Sequence, residues 1–292
     1  TVLMIGSVSK GAQRWLNLGF IRFQPSELMK FAVPMMVAWY LSQKPLPPSH
    51  KSLFLSALFI FTPVAFIAKQ PDLTTALLVI FSSFVILFFA GLSWRIISGA
   101  VVAAGIAIPI LYQHLHAYQK QRILTFFDPE RDPLGSGYHI IQSKIAVGSG
   151  GLFGKGLFNG SQSHLNYLPE HSTDFIFAVI GEELGLLGTL FILALLGTLI
   201  YCSLRIAMRS TDSFTRFACA GIGTWIAIQT VLNIGSAVSL LPVVGVTLPL
   251  LSYGGSALIA TYLGIAFIAS SALRDPEVKL EVKNFVAQRL RR

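Results

Sequence analysis

The sequence predicts an all-α fold, a polytopic transmembrane helix bundle with seven spans, a long extracytoplasmic loop and a re-entrant segment. Only 12% of the 292 residues are charged, whereas soluble domains carry about 25%. The mean hydropathy is +0.67, and the apolar residues fall into runs near the length of about 20 residues that a bilayer requires. With only two cysteines, these observations exclude a water-soluble enzyme, a disordered tail and a disulfide-stapled secreted module.

Seven segments are long and apolar enough, or nearly so, to form the spans. They are residues 26–42, 52–68, 73–90, 96–112, 175–204, 217–240 and 256–273. No run before Ser26 can span, although the chain opens on apolar residues 1–8. We therefore expect these first residues to be the end of an earlier span.

The net charge of +9 indicates membrane topology rather than nucleic-acid binding, because the apolar runs dominate the chain. With the C-terminus in the cytoplasm, the inner segments carry twelve Lys and Arg residues against four acidic ones, and the remainder carries ten against nine. The positive-inside rule then places residues 1–25 and the large external loop, 113–173, outside. We expect the basic cytoplasmic tail, 274–292, to lie on anionic lipid as an interfacial helix or to be a frayed end.

The segment from residue 241 to residue 251 (LPVVGVTLPLL) is apolar but cannot form a regular helix, because it contains Pro242, Gly245 and Pro249. Non-helical backbone persists at membrane depth only when it is buried in protein or lines a wet cavity. We interpret this segment as a re-entrant external loop that forms part of a cavity wall.

Ionisable side chains within an apolar span cost about 2.5–3.5 kcal/mol each, which makes them candidates for function. Glu27 and Lys30 are three residues apart in the first span, so we expect an ion pair, with Ser26 capping the helix. The pair does not exclude a site, because a lysine that lines a cavity still presents a positive field. Arg14 and Trp15 precede this span.

Between two later spans lie Gln70, Pro71 and Asp72. A proline at the N-cap or first helical position and an aspartate in the first turn are typical of an ordinary helix start. These residues alone favour capping over a functional role.

Asp174 lies where an aqueous loop becomes a membrane helix. Ala178, Gly181 and Gly185 follow it on the same face, where small side chains permit close helix packing or leave room for a bound chain. Asp174 can be an N-terminal carboxylate favoured by the helix dipole, or a general base acting on a lipid-borne substrate. The residues alone leave both roles open.

Two carboxylates, Glu182 and Glu183, lie deeper in the same helix, and we expect them to adjust its fit against its neighbours.

In the external loop, the sequence GSGGLFGKG at 148–156 resembles a phosphate-binding loop. It fails the Walker A spacing, which requires Gly at 149 and Ser or Thr at 156. Glycines beside Lys155 can still present backbone N–H groups to a pyrophosphate. His114 and His116 are too few for a metal site.

Seven stretches along the chain form an ordered set of motifs: GAQRW (11–15), FQPSELMKFAVP (23–34), QPDL (70–73), GLSWR (91–95), DPLGSGYHIIQSKIAVGSGGLFGKG (132–156), LPEHSTDFIFAVIGEELG (168–185) and LPVVGVTLPLLSYGGS (241–256). In this order they resemble the motifs of the SEDS family (shape, elongation, division and sporulation), and in particular its elongation branch. One departure is Thr74, where the family usually has Gly in QPDLGT. The family has ten transmembrane spans. The resemblance therefore implies that residues 1–292 form a single SEDS transmembrane domain that lacks the first two spans and most of the third.

The resemblance implies a peptidoglycan glycosyltransferase that polymerises lipid II into glycan strands outside the bacterial cytoplasmic membrane, for cell elongation and rod shape. The catalytic aspartate of the family corresponds to Asp174. Its motif positions in the outer cavity correspond to Arg14, Trp15, Glu27, Lys30 and Asp72.

An inverting displacement needs a base at the acceptor hydroxyl and cations at the leaving pyrophosphate. We assign Asp174 as the base, and we include Glu170, from the same motif, among the substrate-binding residues. The cations expected to hold the pyrophosphate come from Arg14, Lys30, Arg122 and Lys144.

The implied partners are lipid II, a class B penicillin-binding protein (a transpeptidase) and elongation proteins such as MreC and MreD, with no nucleic acid. We expect no tightly bound cofactor, and we allow for a divalent cation, Mg²⁺ or Mn²⁺, on the substrate pyrophosphate. Two other classes of function stay open. One is a lipid II flippase or other transporter, and the other is a non-catalytic scaffold for a penicillin-binding transpeptidase.

Overall fold

A computed structural model shows a mainly helical chain, as expected. The structure describes residues 6–9, 12–17, 19, 22–131, 136–164, 170 and 172–274. The predicted basic tail lies outside the described residues from residue 275 onward, as do residues 1–5 of the predicted earlier span.

Helices occupy all seven predicted spans. The helices are α1 (Pro25–Ser42), α2 (His50–Lys69), α3 (Leu73–Phe89), α4 (Trp94–His114), α5 (Ala117–Phe127), α6 (Ser136–Ser149), α7 (Ser161–His164), α8 (Ile176–Arg209), α9 (Ser213–Ala237) and α10 (Gly255–Arg274), with a 3₁₀ turn at Pro129–Arg131. Within the described residues, α2, α4, α8, α9 and α10 are long and apolar enough to cross a bilayer, and α3 is a shorter apolar helix. The predicted fold class is confirmed.

Three short strands precede α1: β1 (Ser7–Ser9), β2 (Ala12–Asn17) and β3 (Arg22–Phe23). They form an antiparallel sheet in the order β1-β2-β3, with Ser7 opposite Trp15 and Leu16 opposite Phe23. The sequence analysis placed Ser7 and Val8 at the end of a span, which is wrong. Strands this short give too few alternating positions for a period of two to be recognised.

The chain divides into two compact units, which we describe separately. Unit 1 comprises Thr1–Gly91, Leu199–Trp225 and Gly255–Arg274, together with the tail. Here α1 packs against α2, α3 and α10. Buried apolar side chains of α1, α2, α3 and the start of α9 form its core, including Val37, Leu41, Ile60, Ile86 and Phe217.

Unit 2 comprises Leu92–Thr198 and Ile226–Gly254. Its core includes Ala146 of α6, Phe175, Ala178 of α8, Ala237 of α9 and Leu248. The Ser143 hydroxyl donates to the Ala237 carbonyl at 2.6 Å and so joins α6 to the end of α9.

The helix α8 is broken, which the sequence analysis did not predict. At Gly185 its backbone leaves the helical region, with φ 67° and ψ −162°. The chain between α6 and α7 fills the break with four backbone hydrogen bonds. They run from Lys155 N to Glu182 O (3.0 Å), from Gly156 N to Glu183 O (2.9 Å), from Leu186 N to Gly151 O (2.9 Å) and from Leu187 N to Leu152 O (3.2 Å).

Glycines allow this close approach of two backbones. A Cβ atom at Gly150 would overlap the Gly181 carbonyl, and one at Gly185 would overlap the amide of Gly154. The small-residue face below Asp174 therefore packs against protein at Gly181 and Gly185. Of the two roles that the sequence left open for this face, close packing is the one the structure supports at these glycines.

The segment from residue 241 to residue 251 is non-helical, as predicted. It folds back along the last turns of α9. The side-chain amide of Gln229 donates to the Thr247 carbonyl at 2.8 Å, and that of Asn233 donates to the Val246 carbonyl at 2.6 Å. These two contacts lie one helical turn apart and hold the segment in the form expected of a re-entrant loop.

Candidate active site

Asp174 lies in the turn that leads into α8, where it is partly buried. The Glu170 carbonyl closes this turn by accepting hydrogen bonds from the amides of Thr173 (3.1 Å), Asp174 (3.1 Å) and Phe175 (3.3 Å). The backbone of Glu170 has a φ of 57°. We call Glu170 together with residues 172–175 the Asp174 turn. Its position at the start of the helix agrees with the sequence analysis.

Three consecutive carbonyls of the Asp174 turn accept hydrogen bonds from other parts of unit 2. The donors are Tyr253 N to Ser172 O (2.8 Å), Ser252 Oγ to Thr173 O (2.6 Å) and Asn233 Nδ2 to Asp174 O (3.0 Å). Asn233 and Ser252 are both buried. The turn is thus fixed by α9 and by the chain that follows it, rather than by α8 alone.

The carboxylate of Asp174 and the guanidinium of Arg122 both lie beside Gly245. A Cβ atom at Gly245 would lie 3.5 Å from Asp174 Oδ2 and 3.5 Å from Arg122 Nη1. The φ of Gly245 is +68°, a left-handed conformation that favours glycine. The structure therefore places the predicted base and one predicted cation beside the same glycine.

Three of the residues predicted to bind substrate in unit 2 are exposed. They include Arg122, on α5, and Lys144, on α6. Glu170 is also exposed, and its carboxylate accepts a hydrogen bond from the Thr173 hydroxyl at 3.0 Å. This contact supports the shape of the Asp174 turn, and substrate binding by Glu170 and Lys144 stays a prediction.

In unit 1 the predicted ion pair of α1 is confirmed. Lys30 Nζ lies 2.5 Å from Glu27 Oε2, and the Lys30 side chain is only 1% exposed. The same ammonium group lies over the Trp225 ring, 5.7 Å from its centroid. A cation over an aromatic face is attracted by the ring quadrupole. Lys30 is therefore held by a carboxylate and an indole within one unit.

The predicted capping role of Asp72 is also confirmed. Its carboxylate is the N-cap of α3 and accepts from the Thr75 amide (3.2 Å) and the Thr75 hydroxyl (2.9 Å). It also accepts from the side-chain amide of Gln24 at 3.0 Å. Because Asp72 is itself the N-cap, Pro71 precedes the helix, and the prediction that Pro71 is its N-cap or first residue is wrong.

Arg14 of β2 contacts the turn that precedes α3. The Arg14 guanidinium donates to the carbonyls of Gln70, at 2.8 Å, and Pro71. The prediction that Ser26 caps the helix is wrong, because Pro25, whose fixed φ suits a first helical residue, begins α1 and Gln24 is the N-cap. Trp15 is partly buried in β2.

The glycine-rich stretch around Lys155 is not a phosphate cradle. Its amides at Lys155 and Gly156 donate to carbonyls of α8, and the Lys155 ammonium lies 2.6 Å from Glu182 Oε1. Glu182 is fully buried and also accepts from the Ser161 hydroxyl at 3.0 Å. Glu182 thus holds the loop against the helix break, in keeping with the packing role expected for it.

A metal cage is not found in the part of the chain that the structure describes, where no three His, Cys, Asp or Glu side chains are grouped to hold an ion. The described residues therefore do not fit a protein-bound metal centre. A divalent cation on the substrate pyrophosphate stays a prediction.

Comparison with known families identifies the group to which these motifs belong. Residues 1–275 match the model of the cell cycle protein family FTSW_RODA_SPOVE. The chain belongs to this family. The SEDS resemblance is therefore confirmed over almost the whole chain.

Relatives from two branches of the family are similar to this chain. Peptidoglycan glycosyltransferase MrdB of Escherichia coli K12 is 53% identical over 266 residues, which are 91% of this chain and 72% of MrdB. The probable peptidoglycan glycosyltransferase FtsW of Aliivibrio salmonicida is 39% identical over 273 residues, covering 91% of this chain and 68% of that protein. The higher identity to MrdB agrees with the predicted elongation branch.

Solved structures of the family share this fold. A chain of a peptidoglycan synthase complex superposes with a TM-score of 0.77 at 35% identity, over 94% of this chain and 77% of that one. The rod shape determining protein RodA of Thermus thermophilus gives a TM-score of 0.64 at 31% identity, over 94% of this chain and 74% of RodA. The chain is therefore a multi-pass helical membrane protein of the RodA type.

Proposed function

We propose that this chain carries the polymerising site of a peptidoglycan glycosyltransferase that joins lipid II units into glycan strands. The site faces the exterior of the bacterial cytoplasmic membrane and acts in cell elongation. The enzyme class is that of the curated relatives. The observation that carries the assignment of the site is the placement of the Asp174 carboxylate and the Arg122 guanidinium beside the same residue, Gly245.

The chemistry requires one base and a stabilised leaving group. The hydroxyl of one sugar attacks the anomeric carbon of another, and Asp174 accepts the hydroxyl proton as the new C–O bond forms. The bond to the polyprenyl pyrophosphate breaks, and the pyrophosphate leaves with the electron pair. General base catalysis contributes typically about 10²–10⁴-fold to the rate. Arg122 supplies a planar set of donors for the anionic group.

The remaining predicted residues have supporting roles in this proposal. Lys30 and Arg14 supply positive charge for substrate binding, and Trp15, Glu27 and Asp72 are further motif positions of the proposed outer cavity. Lys144 and Glu170 are additional substrate-binding residues. Mg²⁺ or Mn²⁺ enters with the pyrophosphate, and no step is assigned to it.

We further propose a class B penicillin-binding protein as a partner, with elongation proteins such as MreC and MreD in the same assembly. The similarity to a chain from a peptidoglycan synthase complex supports a partner that crosslinks the new strands. Coupling of the two activities would place the growing glycan beside its transpeptidase.

The test replaces Asp174 by Asn in protein purified from membranes and supplied with lipid II and a divalent cation. We expect glycan polymer, measured on a gel, to fall by at least about 10²-fold, because asparagine cannot accept the proton at neutral pH. The matched control is Asp212→Asn, the same change at an exposed N-cap outside the proposed site.

Undiminished polymer from the Asp174→Asn protein would overturn the base assignment. Translocation of lipid II in vesicles by a wild-type protein that makes no polymer would indicate a flippase. Full rescue of rod shape in cells by Asp174→Asn would indicate a scaffold.

A further inference from the structure

The side chain of Asn233 joins the Asp174 turn to the non-helical segment that contains Gly245 and Val246. One amide nitrogen, Nδ2, donates to the Asp174 carbonyl at 3.0 Å and to the Val246 carbonyl at 2.6 Å. Val246 directly follows Gly245, the residue beside which the side chains of Asp174 and Arg122 both lie. A single group therefore ties the Asp174 turn to the backbone that faces the Asp174 carboxylate.

Few side chains could make this pair of contacts. A neutral amide carries two N–H donors on one nitrogen, whereas a hydroxyl carries one and an ionised carboxylate carries none. Asn233 is fully buried, and α9 sets its position. Both donors of its amide are therefore directed at main-chain carbonyls, which do not change their charge during a reaction.

The oxygen atom of the Asn233 amide is expected to lower the stability of the fold. The Asn233 Oδ1 atom is buried and has no hydrogen-bond partner among the residues that the structure describes. An unsatisfied buried acceptor destabilises a fold, and each such group in a native protein calls for an explanation. The need to hold two backbone segments at a fixed separation is such an explanation.

Resting on the proposed function, we infer that Asn233 is a positioning residue for the Asp174 base. It acts through the Asp174 carbonyl and fixes the distance between the Asp174 carboxylate and the Gly245 backbone. It does not touch the substrate. A misplacement of about 1 Å at a reacting group can cost about 10²-fold in rate.

The chain offers a matched control in Gln229, one helical turn earlier on α9. It is equally buried, and its side-chain amide also donates to the non-helical segment, at the Thr247 carbonyl (2.8 Å) and the Thr247 hydroxyl (3.1 Å). Gln229→Leu and Asn233→Leu therefore both remove an amide that holds this segment. Only the second removes the donor to Asp174.

The experiment measures lipid II polymerisation and thermal unfolding for both variants in the purified membrane protein. We expect Asn233→Leu to lower kcat about 10²-fold with KM for lipid II changed less than about threefold. We expect Gln229→Leu to lower kcat less than about threefold at a similar shift in Tm. Equal losses of kcat in the two variants, or a raised KM at unchanged kcat, would overturn the inference.

The Asn233→Ser variant keeps one hydrogen-bond donor, and it provides the alternative test if Asn233→Leu does not fold. Its kcat should fall between those of wild type and Asp174→Asn. A wild-type kcat in this variant would contradict the positioning role.

A double variant separates positioning from structure. If Asn233 acts through Asp174, then adding Asn233→Leu to Asp174→Asn leaves the residual rate unchanged. A further drop of about 10²-fold would show that Asn233 acts by another route. The proposed function fails separately, through an active Asp174→Asn protein, whatever Asn233 does.

Discussion

Two charged regions of this protein are built in different ways. In unit 1, which contains the Lys30 cluster (Gln24, Glu27, Lys30 and Asp72), charged groups are held by other side chains. Lys30 is 1% exposed against Glu27, and Asp72 accepts three hydrogen bonds from side-chain and backbone donors. In the Asp174 turn, by contrast, the carbonyls are bonded and the carboxylate lies over a glycine.

The difference separates structural from chemical roles. Removing one member of an enclosed charged pair is strongly destabilising, because the other member stays buried and uncompensated. The Asp174 turn has its carbonyls fixed by donors from other segments, and its carboxylate lies beside Gly245, where we propose that it accepts the proton. We therefore expect changes in the Lys30 cluster to act first on stability and changes at the Asp174 turn to act first on rate.

The largest effect should come from Lys30→Met. Removing one partner of a buried ion pair costs about 3–5 kcal/mol, because the other charge stays buried and unpaired. We expect the free energy of unfolding in detergent to fall by that amount. The double variant Glu27→Gln/Lys30→Met should recover most of the loss. A double variant that is less stable than Lys30→Met would contradict this account of the pair.

Gly245→Ala should act on rate at the second region. The added methyl group would lie 3.5 Å from both Asp174 Oδ2 and Arg122 Nη1, in van der Waals contact with each, on a backbone whose φ of +68° disfavours a side chain. We expect kcat to fall about 10–100-fold, since reacting groups must approach to about 3–3.5 Å.

The control is Gly151→Ala, whose φ of +56° gives similar backbone strain while nothing lies within 4 Å of the new Cβ. An equal loss of kcat in the control would assign the effect to strain alone. Tm for both variants would show whether the strain is matched.

Asp72→Ala tests whether the N-cap of α3 is structural. The loss of an N-cap typically costs about 0.5–2 kcal/mol. The Gln24 and Thr75 donors would lose their acceptor as well. We expect chemical unfolding to show a loss near the upper end of that range. Asp72→Asn should retain most of the stability, and if it also retained full polymerisation, a charge-dependent substrate role for Asp72 would be refuted.

The smallest effect is expected at Asp212, the N-cap of α9, which is exposed. Hydrogen bonds from the Thr215 hydroxyl (2.6 Å) and amide (2.9 Å) hold the pKa of Asp212 below its ordinary value of 3.8. Because the folded-state pKa is depressed, the stabilisation is fully present above pH 3.8 and is lost as pH falls through the folded-state pKa.

Asp212→Ala should therefore cost about 1 kcal/mol at pH 7. The difference from wild type should shrink below pH 3.8 in unfolding experiments run across pH. A difference that stayed constant with pH would show that the charge of Asp212 does not contribute.

Local features of this protein could be predicted from the sequence. The spans follow from apolar runs of bilayer length, and the Glu27–Lys30 pair follows from a spacing of three on a helix. The cap at Asp72 depends on its immediate neighbours alone. Each of these interactions is made within one short stretch of chain.

Long-range backbone contacts could not be predicted in the same way. The break at Gly185 depends on hydrogen bonds from a loop about thirty residues earlier in the chain. The sequence signal that could have indicated it is the group of glycines beside two glutamates within an apolar span. Asn233 reaches Asp174 across 59 positions. Its local pattern is that of an ordinary polar residue in a membrane helix, which explains why sequence reasoning passed over it.

The broken helix α8 has a consequence for how the protein is made. Two helical pieces that separate at Gly185 leave carbonyls and amides without helical partners, and hydrocarbon cannot supply any. The partners come from residues 151–156, which precede α8 in the chain. Residues 151–156 are therefore synthesised before α8. Their backbone groups are available to form hydrogen bonds at the break as soon as α8 enters the bilayer.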